Sequence, residues 1–306
     1  MRVFVTGATG FIGSAVVQEL KSAGHQVVGL ARSDSSAEAL ASAGAEVRRG
    51  SLEDLDSLRA GAEMSDGVIH LGYIHDFSKM EDNARVDLAA IELFGEALAA
   101  SDRPLVIASG TLMLAPPGQT STEADTGYPA DNAVVGRRRN EHVLLSLAGR
   151  GVRSASVRLT PTVHGSGDHG FVPIIIGVAR EKGVSGYVGD GSARWPAVHR
   201  LDAARLFRLA VETAPAGTTL QCVAEEGVPV RQIADVIGRH LDVPVQSISH
   251  EDAVEHFGFL GALLGLDSPA SSVLTRERFA WRPEQPGLIE DLDQGHYFQT
   301  AVPLAA

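Results

Sequence analysis

Val3-Phe4-Val5-Thr6-Gly7-Ala8-Thr9-Gly10-Phe11-Ile12-Gly13 decides the fold of this 306-residue chain. The β-branched run Val3–Thr6 reads as a strand. Phe11–Ala23 reads as a helix, with Phe11, Ala15, Val16 and Leu20 on its apolar face. Between them, Gly7 suits the sharp turn, Gly10 lets a ligand approach the backbone, and Gly13 lets the helix lie close against the strand. A helix that starts this way offers free N–H donors and the positive end of its dipole, which together form a cradle for a phosphate. Glycine spacing alone is weak. Here a strand precedes it, an amphipathic helix follows, and a second strand ends near residue 30, which makes it a turn for a dinucleotide pyrophosphate.

The rhythm continues outward from that turn. Val27–Leu30, Glu46–Arg49, Gly67–Leu71, Leu105–Ser109 and Ser154–Leu159 read as further strands. Helical patterns separate them: one opened by a Ser35/Glu38 capping box, then Leu55–Ala62, Asn83–Ala100 and Ala133–Arg150. Strands alternating with helices and lacking hairpin turns imply right-handed crossovers, hence an α/β, doubly wound parallel sheet of the Rossmann type. After about Val163 loops rich in Gly and Pro take over, with helices expected at Asp202–Glu212 and Val230–Leu241. The division expected is a dinucleotide-binding domain over residues 1–165 and a smaller substrate lobe over 166–306, with about 200–225 returning to the main sheet.

Bulk properties exclude several classes. The net charge of −12 disfavours nucleic acid and anionic membrane surfaces. The single cysteine, Cys222, rules out an internal disulfide and zinc-finger spacing. No apolar run approaches a membrane span, and Met1–Thr6 enters a strand without a signal-peptide pattern, so a cytoplasmic protein is expected. No convincing metal spacing exists around His164, Asp168 and His169.

The end of the second strand bears on the cofactor. An NAD-preferring site usually places an acidic residue there for the ribose hydroxyls, whereas this chain has Ala31, Arg32 and Ser33. An arginine fork with a hydroxyl suits a 2′-phosphate, so NADP(H) is the expected cofactor.

Thr6–Gly13, Val68-Ile69-His70-Leu71, Arg158–Gly165 and Val198-His199-Arg200-Leu201-Asp202 together resemble the extended short-chain dehydrogenase/reductases, the NAD-dependent epimerase/dehydratase-like group. The resemblance covers nearly the whole chain. It implies a homodimer through the helices at Asn83–Ala100 and Ala133–Arg150, whose stripes include Leu88, Ile91, Phe94 and Leu98, the alternative being that those stripes only face the sheet. It also implies cofactor contacts from Gly7, Thr9, Gly10, Phe11, Ile12, Gly13, Arg32, Ser33, Ser51, Leu52, Leu71, Gly72, Tyr73, Ser109, Arg137, Pro161, Thr162 and Val163. The family's catalytic tyrosine, followed four residues later by lysine, has no counterpart. Tyr73, Tyr128, Tyr187 and Tyr297 are followed at that distance by Phe77, Asn132, Gly191 and Ala301, and the only lysines are Lys21, Lys79 and Lys182. Alignment through Glu141 and Arg158 puts Ala133 at the tyrosine position and Arg137 at the lysine position. Arg137 can hold ribose hydroxyls, but its guanidinium stays charged and relays no proton. The family's hydroxyl position falls on Ser109 or Gly110, with Thr111 adjacent.

A substitute donor is therefore sought among residues bordering the cleft. His75, in Leu71–Phe77, titrates in the working pH range and is the first candidate, with Ser109 and Thr111 orienting the substrate oxygen. His164 and His199 read as packed, structural residues, and Tyr187 and Trp195 as residues of the substrate lobe. The function expected is NADP(H)-dependent reduction of a small carbonyl or imine substrate. The alternatives are a non-catalytic NADP(H) sensor and a sugar-nucleotide epimerase or dehydratase.

Overall fold

The computed structural model describes residues 1–76, 79–127 and 134–299. Strand β1 (Arg2–Thr6) leads through the glycine turn into helix α1 (Phe11–Ser22). There follow β2 (Gln26–Ala31), α2 (Asp34–Ser42), β3 (Glu46–Arg49), α3 (Leu55–Glu63), β4 (Gly67–His70), α4 (Met80–Ala97), β5 (Pro104–Gly110), α5 (Val134–Ser146) and β6 (Arg153–Leu159). Next come β7 (Thr162–His164), α6 (Phe171–Lys182), β8 (Ser185–Val188), β9 (Arg194–His199), α7 (Arg200–Thr213) and β10 (Thr218–Cys222). The chain ends with β11 (Glu225–Pro229), α8 (Val230–Leu241), β12 (Val245–Ile248), α9 (Ala253–Phe257), α10 (Gly261–Leu264), α11 (Val273–Phe279) and α12 (Leu288–Asp293).

Seven strands form one parallel sheet in the order β10-β6-β5-β4-β1-β2-β3. Its inner strands β1, β4 and β5 are buried on both faces because helices cover both, whereas the edge strand β3 is polar and partly exposed. Val3 and Val5 enter the core under α1 and α7, while Phe4 between them points into the opposite core with Leu58, Ile91 and Phe94. Strand order reverses between β1 and β4, and in doubly wound folds the ligand crevice opens at the carboxyl ends on either side of that reversal. The smaller lobe holds a sheet ordered β11-β9-β7, a β12-β8 pair, and its own core around Trp195, Ile233, Ile237 and Phe257.

Three local expectations are corrected. Helix α2 opens two residues earlier than the Ser35/Glu38 box implied, because Ser33 takes the N-cap and its hydroxyl accepts from Ser36 N–H. The helix expected to run to Arg150 ends at Ser146 and tightens into a 3₁₀ turn over Leu147–Arg150, closed by Gly151 at φ 72°. Finally, the stripe cited for self-association is spent inside the chain: Ile91, Phe94 and Leu98 are fully buried against the sheet and α5, and Leu88 is half-buried.

Candidate active site

Gly7 sits in the left-handed region at φ +64°, and a Cβ there would lie 2.7 Å from Gly72 N. A Cβ on Gly13 would fall 2.0 Å from Gly7 O, so only glycine lets α1 start this close to the turn. Gly10 N–H closes the turn on Gly7 O at 3.0 Å. Helix α1 begins with no side-chain cap and no acidic residue in its first turn, which leaves its backbone donors and positive end for an anion. The cradle therefore fits a dinucleotide pyrophosphate.

The loop after β4 is tied to this turn by a buried chain of polar groups that the sequence reading missed. Gly72 N–H donates to Thr6 Oγ1 at 3.0 Å, and Thr6 Oγ1 lies 2.7 Å from His70 Nδ1. His70 Nε2 lies 3.2 Å from Asp87 Oδ1, and Asn140 Nδ2 donates to Asp87 Oδ2 at 2.6 Å. A carboxylate only accepts, so His70 Nε2–H donates to Asp87. Burial pushes the Asp87 carboxyl up, but the bonds from His70 and Asn140 and the nearby Arg137 outweigh it and hold it below the usual range. The network joins β1 and β4 to α4 and α5.

Arg137 of α5 donates from Nη2 to Ala108 O at 3.0 Å, beside the nearly buried Ser109. Its guanidinium carbon lies 4.2 Å from the centroid of the Tyr73 ring, and the His75 ring meets Tyr73 edge-on at 5.3 Å. Partial desolvation, Arg137 and His169 hold the His75 imidazole, which still reaches solvent, below its ordinary value, against a backbone bond at Tyr73 that raises it. His75 is therefore uncharged near neutral pH. Thr111 is completely buried, with N–H on Leu159 O at 2.9 Å and its hydroxyl unpartnered among the described residues. Ala133 and Phe77 lie outside the described residues.

At the ends of β2 and β3 a cleft of about 510 Å³ is lined by Ala31, Arg32, Ser33, Asp34, Arg49, Gly50, Ser51 and Asp54. Arg32, Ser33 and Ser51 are thus brought together, and Arg49, which sequence reasoning passed over, joins them and pairs with Asp34. Leu52 packs toward Gly72, where a Cβ would meet its Cδ2 at 2.8 Å, and Leu71 N–H binds Thr6 O at 3.3 Å. Pro161 precedes β7 and is half-buried, Val163 pairs with Val198, and the Thr162 hydroxyl is committed to Pro196 O at 2.7 Å.

The smaller lobe reaches the glycine turn through residues unassigned from sequence. Arg200 donates to Ser14 Oγ at 2.9 Å and Ser166 O at 2.7 Å, and its guanidinium carbon lies 4.7 Å from the Phe11 ring centroid. His169 meets the same ring edge-on at 5.8 Å. Behind them, Tyr297 OH donates to Asp168 Oδ2 at 3.0 Å and accepts from Gly165 N–H at 2.9 Å. Burial pushes Asp168 up to about 6, despite opposing hydrogen bonds from Gly170 and Tyr297. His164 is packed against Asp291 at 2.8 Å, and His199 accepts from Leu201 N–H as the N-cap of α7. Trp195 is core, and Tyr187 is half-buried under Arg231. Among the described residues, no group of three or more His, Cys, Asp or Glu could hold a metal ion, and no helix is long and apolar enough to cross a membrane.

The model of the NAD dependent epimerase/dehydratase family matches residues 3–222. The chain belongs to that family. An uncharacterised protein of Schizosaccharomyces pombe is 48% identical over 299 residues, covering 97% of this chain and 100% of the relative. This family member is also 26% identical over 242 residues to a 4-hydroxy-2-methyl-3-oxo-4-farnesyl-3,4-dihydroquinoline-1-oxide ketoreductase of Stigmatella aurantiaca, covering 75% of this chain and 70% of that one. Its fold matches the UDP-glucose 4-epimerase of Thermus thermophilus in complex with NAD at a TM-score of 0.76 and 20% identity, covering 98% and 100% of the two chains.

Proposed function

We propose that this epimerase/dehydratase-family protein is a cytoplasmic NADP(H)-dependent reductase of a small carbonyl or imine substrate, acting without the family's Tyr-x-x-x-Lys pair. One observation carries the cofactor choice. The cleft at the ends of β2 and β3 presents two guanidinium groups, Arg32 and Arg49, and the Ser33-capped start of α2, while Asp34 is already engaged by Arg49. A 2′-phosphate would meet charge-assisted donors there, whereas NAD-preferring sites place a carboxylate at the end of β2.

A bound nicotinamide dinucleotide supplies a hydride. The chain's own residues do the rest: the Gly7–Gly13 turn and α1 receive the pyrophosphate, and Leu71–Tyr73, Ser109 and Arg137 border the reacting end. His75 and Tyr73 are two titratable groups close to Arg137 in that corner. The ketoreductase relative supports carbonyl reduction as the reaction class.

NADPH oxidation followed with a panel of ketones, aldehydes and imines tests the reading. Substrate-dependent consumption is expected. NADPH binding with no turnover on any of them would replace the reading with a cofactor sensor. Interconversion of a nucleotide sugar without net NADPH loss would replace it with an epimerase. The resemblance also supports a homodimer, for which light scattering at micromolar concentration should return twice the 32.1 kDa chain mass; a monomer removes that part.

A further inference from the structure

The carboxyl end of β4 flanks the strand-order reversal, and Tyr73 stands three residues beyond it. Its backbone is held there because the preceding Gly72 N–H is bonded to Thr6 Oγ1 at 3.0 Å, against the turn that receives the cofactor. The ring is half-buried, and its hydroxyl makes no hydrogen bond to a described residue. Arg137 lies 4.2 Å from the ring centroid, itself fixed to Ala108 O at the end of β5. His75 closes the other side, ring to ring at 5.3 Å and 70°. A phenol, a permanent cation and an imidazole thus converge where β1, β4 and β5 end.

On the reductase reading, on which this inference rests, we propose that Tyr73 is the proton donor, Arg137 the cation that stabilises its phenolate, and His75 the relay that reloads it. The balance is complete. Hydride from the reduced dinucleotide adds to the carbonyl carbon, and the C=O π pair moves onto oxygen. That oxygen takes the Tyr73 proton, giving alcohol, oxidised dinucleotide and phenolate. Water then returns a proton to the phenolate through the His75 ring, which accepts at one nitrogen and donates at the other. For an imine, nitrogen takes the place of oxygen.

The electrostatics agree with this division of labour. Burial, Asp87 and Glu81 together raise the Tyr73 phenol against the pull of Arg137, so it stays protonated through the working range and has a proton to give. The guanidinium keeps its charge at every accessible pH and offsets the negative charge formed on the ring. His75, held uncharged by partial desolvation and by Arg137 yet open to solvent, suits a relay better than a stored acid. The other groups facing this corner are Asp87, buried and hydrogen-bonded to His70 and Asn140, Glu81, and His169 across the cleft.

The test uses the full chain. With a substrate from the carbonyl panel, Tyr73→Phe should cut turnover by about 10²–10⁴-fold while NADPH affinity, read by quenching of protein fluorescence, changes less than about threefold. Arg137→Gln should move the tyrosinate absorbance titration of Tyr73, taken as the difference from the Tyr73→Phe protein, to higher pH, and Arg137→Lys should restore it. A purely structural arginine would not shift that midpoint. If the wild type reduces nothing in the panel, the reductase reading falls and this assignment with it. If the wild type is active and Tyr73→Phe keeps its rate while His75→Ala loses it, the reading stands and the donor assignment is overturned. An unmoved titration in Arg137→Gln overturns the role of Arg137.

Discussion

The ion pair that seats α5 on the sheet gives a sharp test of the site's foundations. Arg158 of β6 donates to Glu141 from Nε at 2.9 and 3.1 Å and from Nη2 at 2.9 Å, and from Nη1 to Asp125 O at 2.7 Å. The Ser156 hydroxyl also bonds Glu141, and the two charged side chains are only 2% and 1% exposed. Glu141→Gln preserves the shape but leaves a buried guanidinium without its counter-charge. Breaking one side of such a pair costs about 3–5 kcal/mol, a large share of the roughly 5–15 kcal/mol by which a domain is usually stable. At about 2–4 °C per kcal/mol for larger domains, the melting temperature should fall by roughly 6–20 °C. Replacing both partners with apolar residues, Glu141→Leu with Arg158→Met, removes the orphaned charge and should recover most of the loss. Urea unfolding followed by tryptophan fluorescence measures all the variants. A loss below about 1 kcal/mol in Glu141→Gln, or a paired variant no better than the single one, would refute the account based on a desolvated charge.

Arg32→Ala removes a charge-assisted donor worth about 1.5–3 kcal/mol, so NADPH should bind roughly ten- to a hundredfold more weakly with NADH little changed; equal losses for both cofactors in calorimetry would sink the 2′-phosphate assignment. Gly13→Ala would place a methyl 2.0 Å from Gly7 O, so α1 must back away from the turn; cofactor affinity should collapse even where circular dichroism shows a folded chain, and wild-type affinity would contradict the close packing. Asp168 holds its proton more tightly in the folded chain, at about 6 against an ordinary 3.8, so its contribution is fully present below the lower value and lost as pH rises through the higher. Compared with Asp168→Asn, the wild type should therefore lose relative stability as the pH rises across that window, and parallel pH profiles of urea midpoints would remove the assignment.

Much of the fold was legible because its signals are local. The β1 triplet Val3-Phe4-Val5 carries the mark of a strand buried on both faces, and the structure divides those side chains between the two cores. Helix α8 begins and ends where its pattern does, at Val230 and Leu241. The errors arose where a local pattern had two readings. Ser35 with Glu38 fits a capping box, yet Ser33, two residues past β2, takes the cap with its backbone extended and its hydroxyl on Ser36 N–H. The stripe Leu88, Ile91, Phe94 and Leu98 announces burial without naming the partner; the sheet and α5 supply it.

The candidate site divides along the same line, between what is contiguous and what is assembled. The glycine turn, Arg32 and Ser33 lie in unbroken stretches whose chemistry follows from their order. Arg49 stands at the end of the neighbouring strand, and only the β2–β3 register, Ala31 opposite Arg49, brings it into the same cleft. Arg200 meets the first turn of α1 from the far side of the chain, and His70, Asp87 and Asn140 come from three elements. A faint signal did exist: His70 interrupts an apolar strand, while Asn83 and Asp87 put polar groups on the buried side of α4. Such placements imply buried partners, since an unpaired polar group in a core is costly, but they do not identify them. In the fold, the loop bearing Tyr73 is positioned by Thr6, and Thr6 is held through His70 and Asp87 by Asn140, one turn beyond Arg137. One chain of hydrogen bonds therefore sets both the cofactor turn and the phenol–guanidinium pair, so displacing Asn140 or Asp87 should disturb binding and chemistry together.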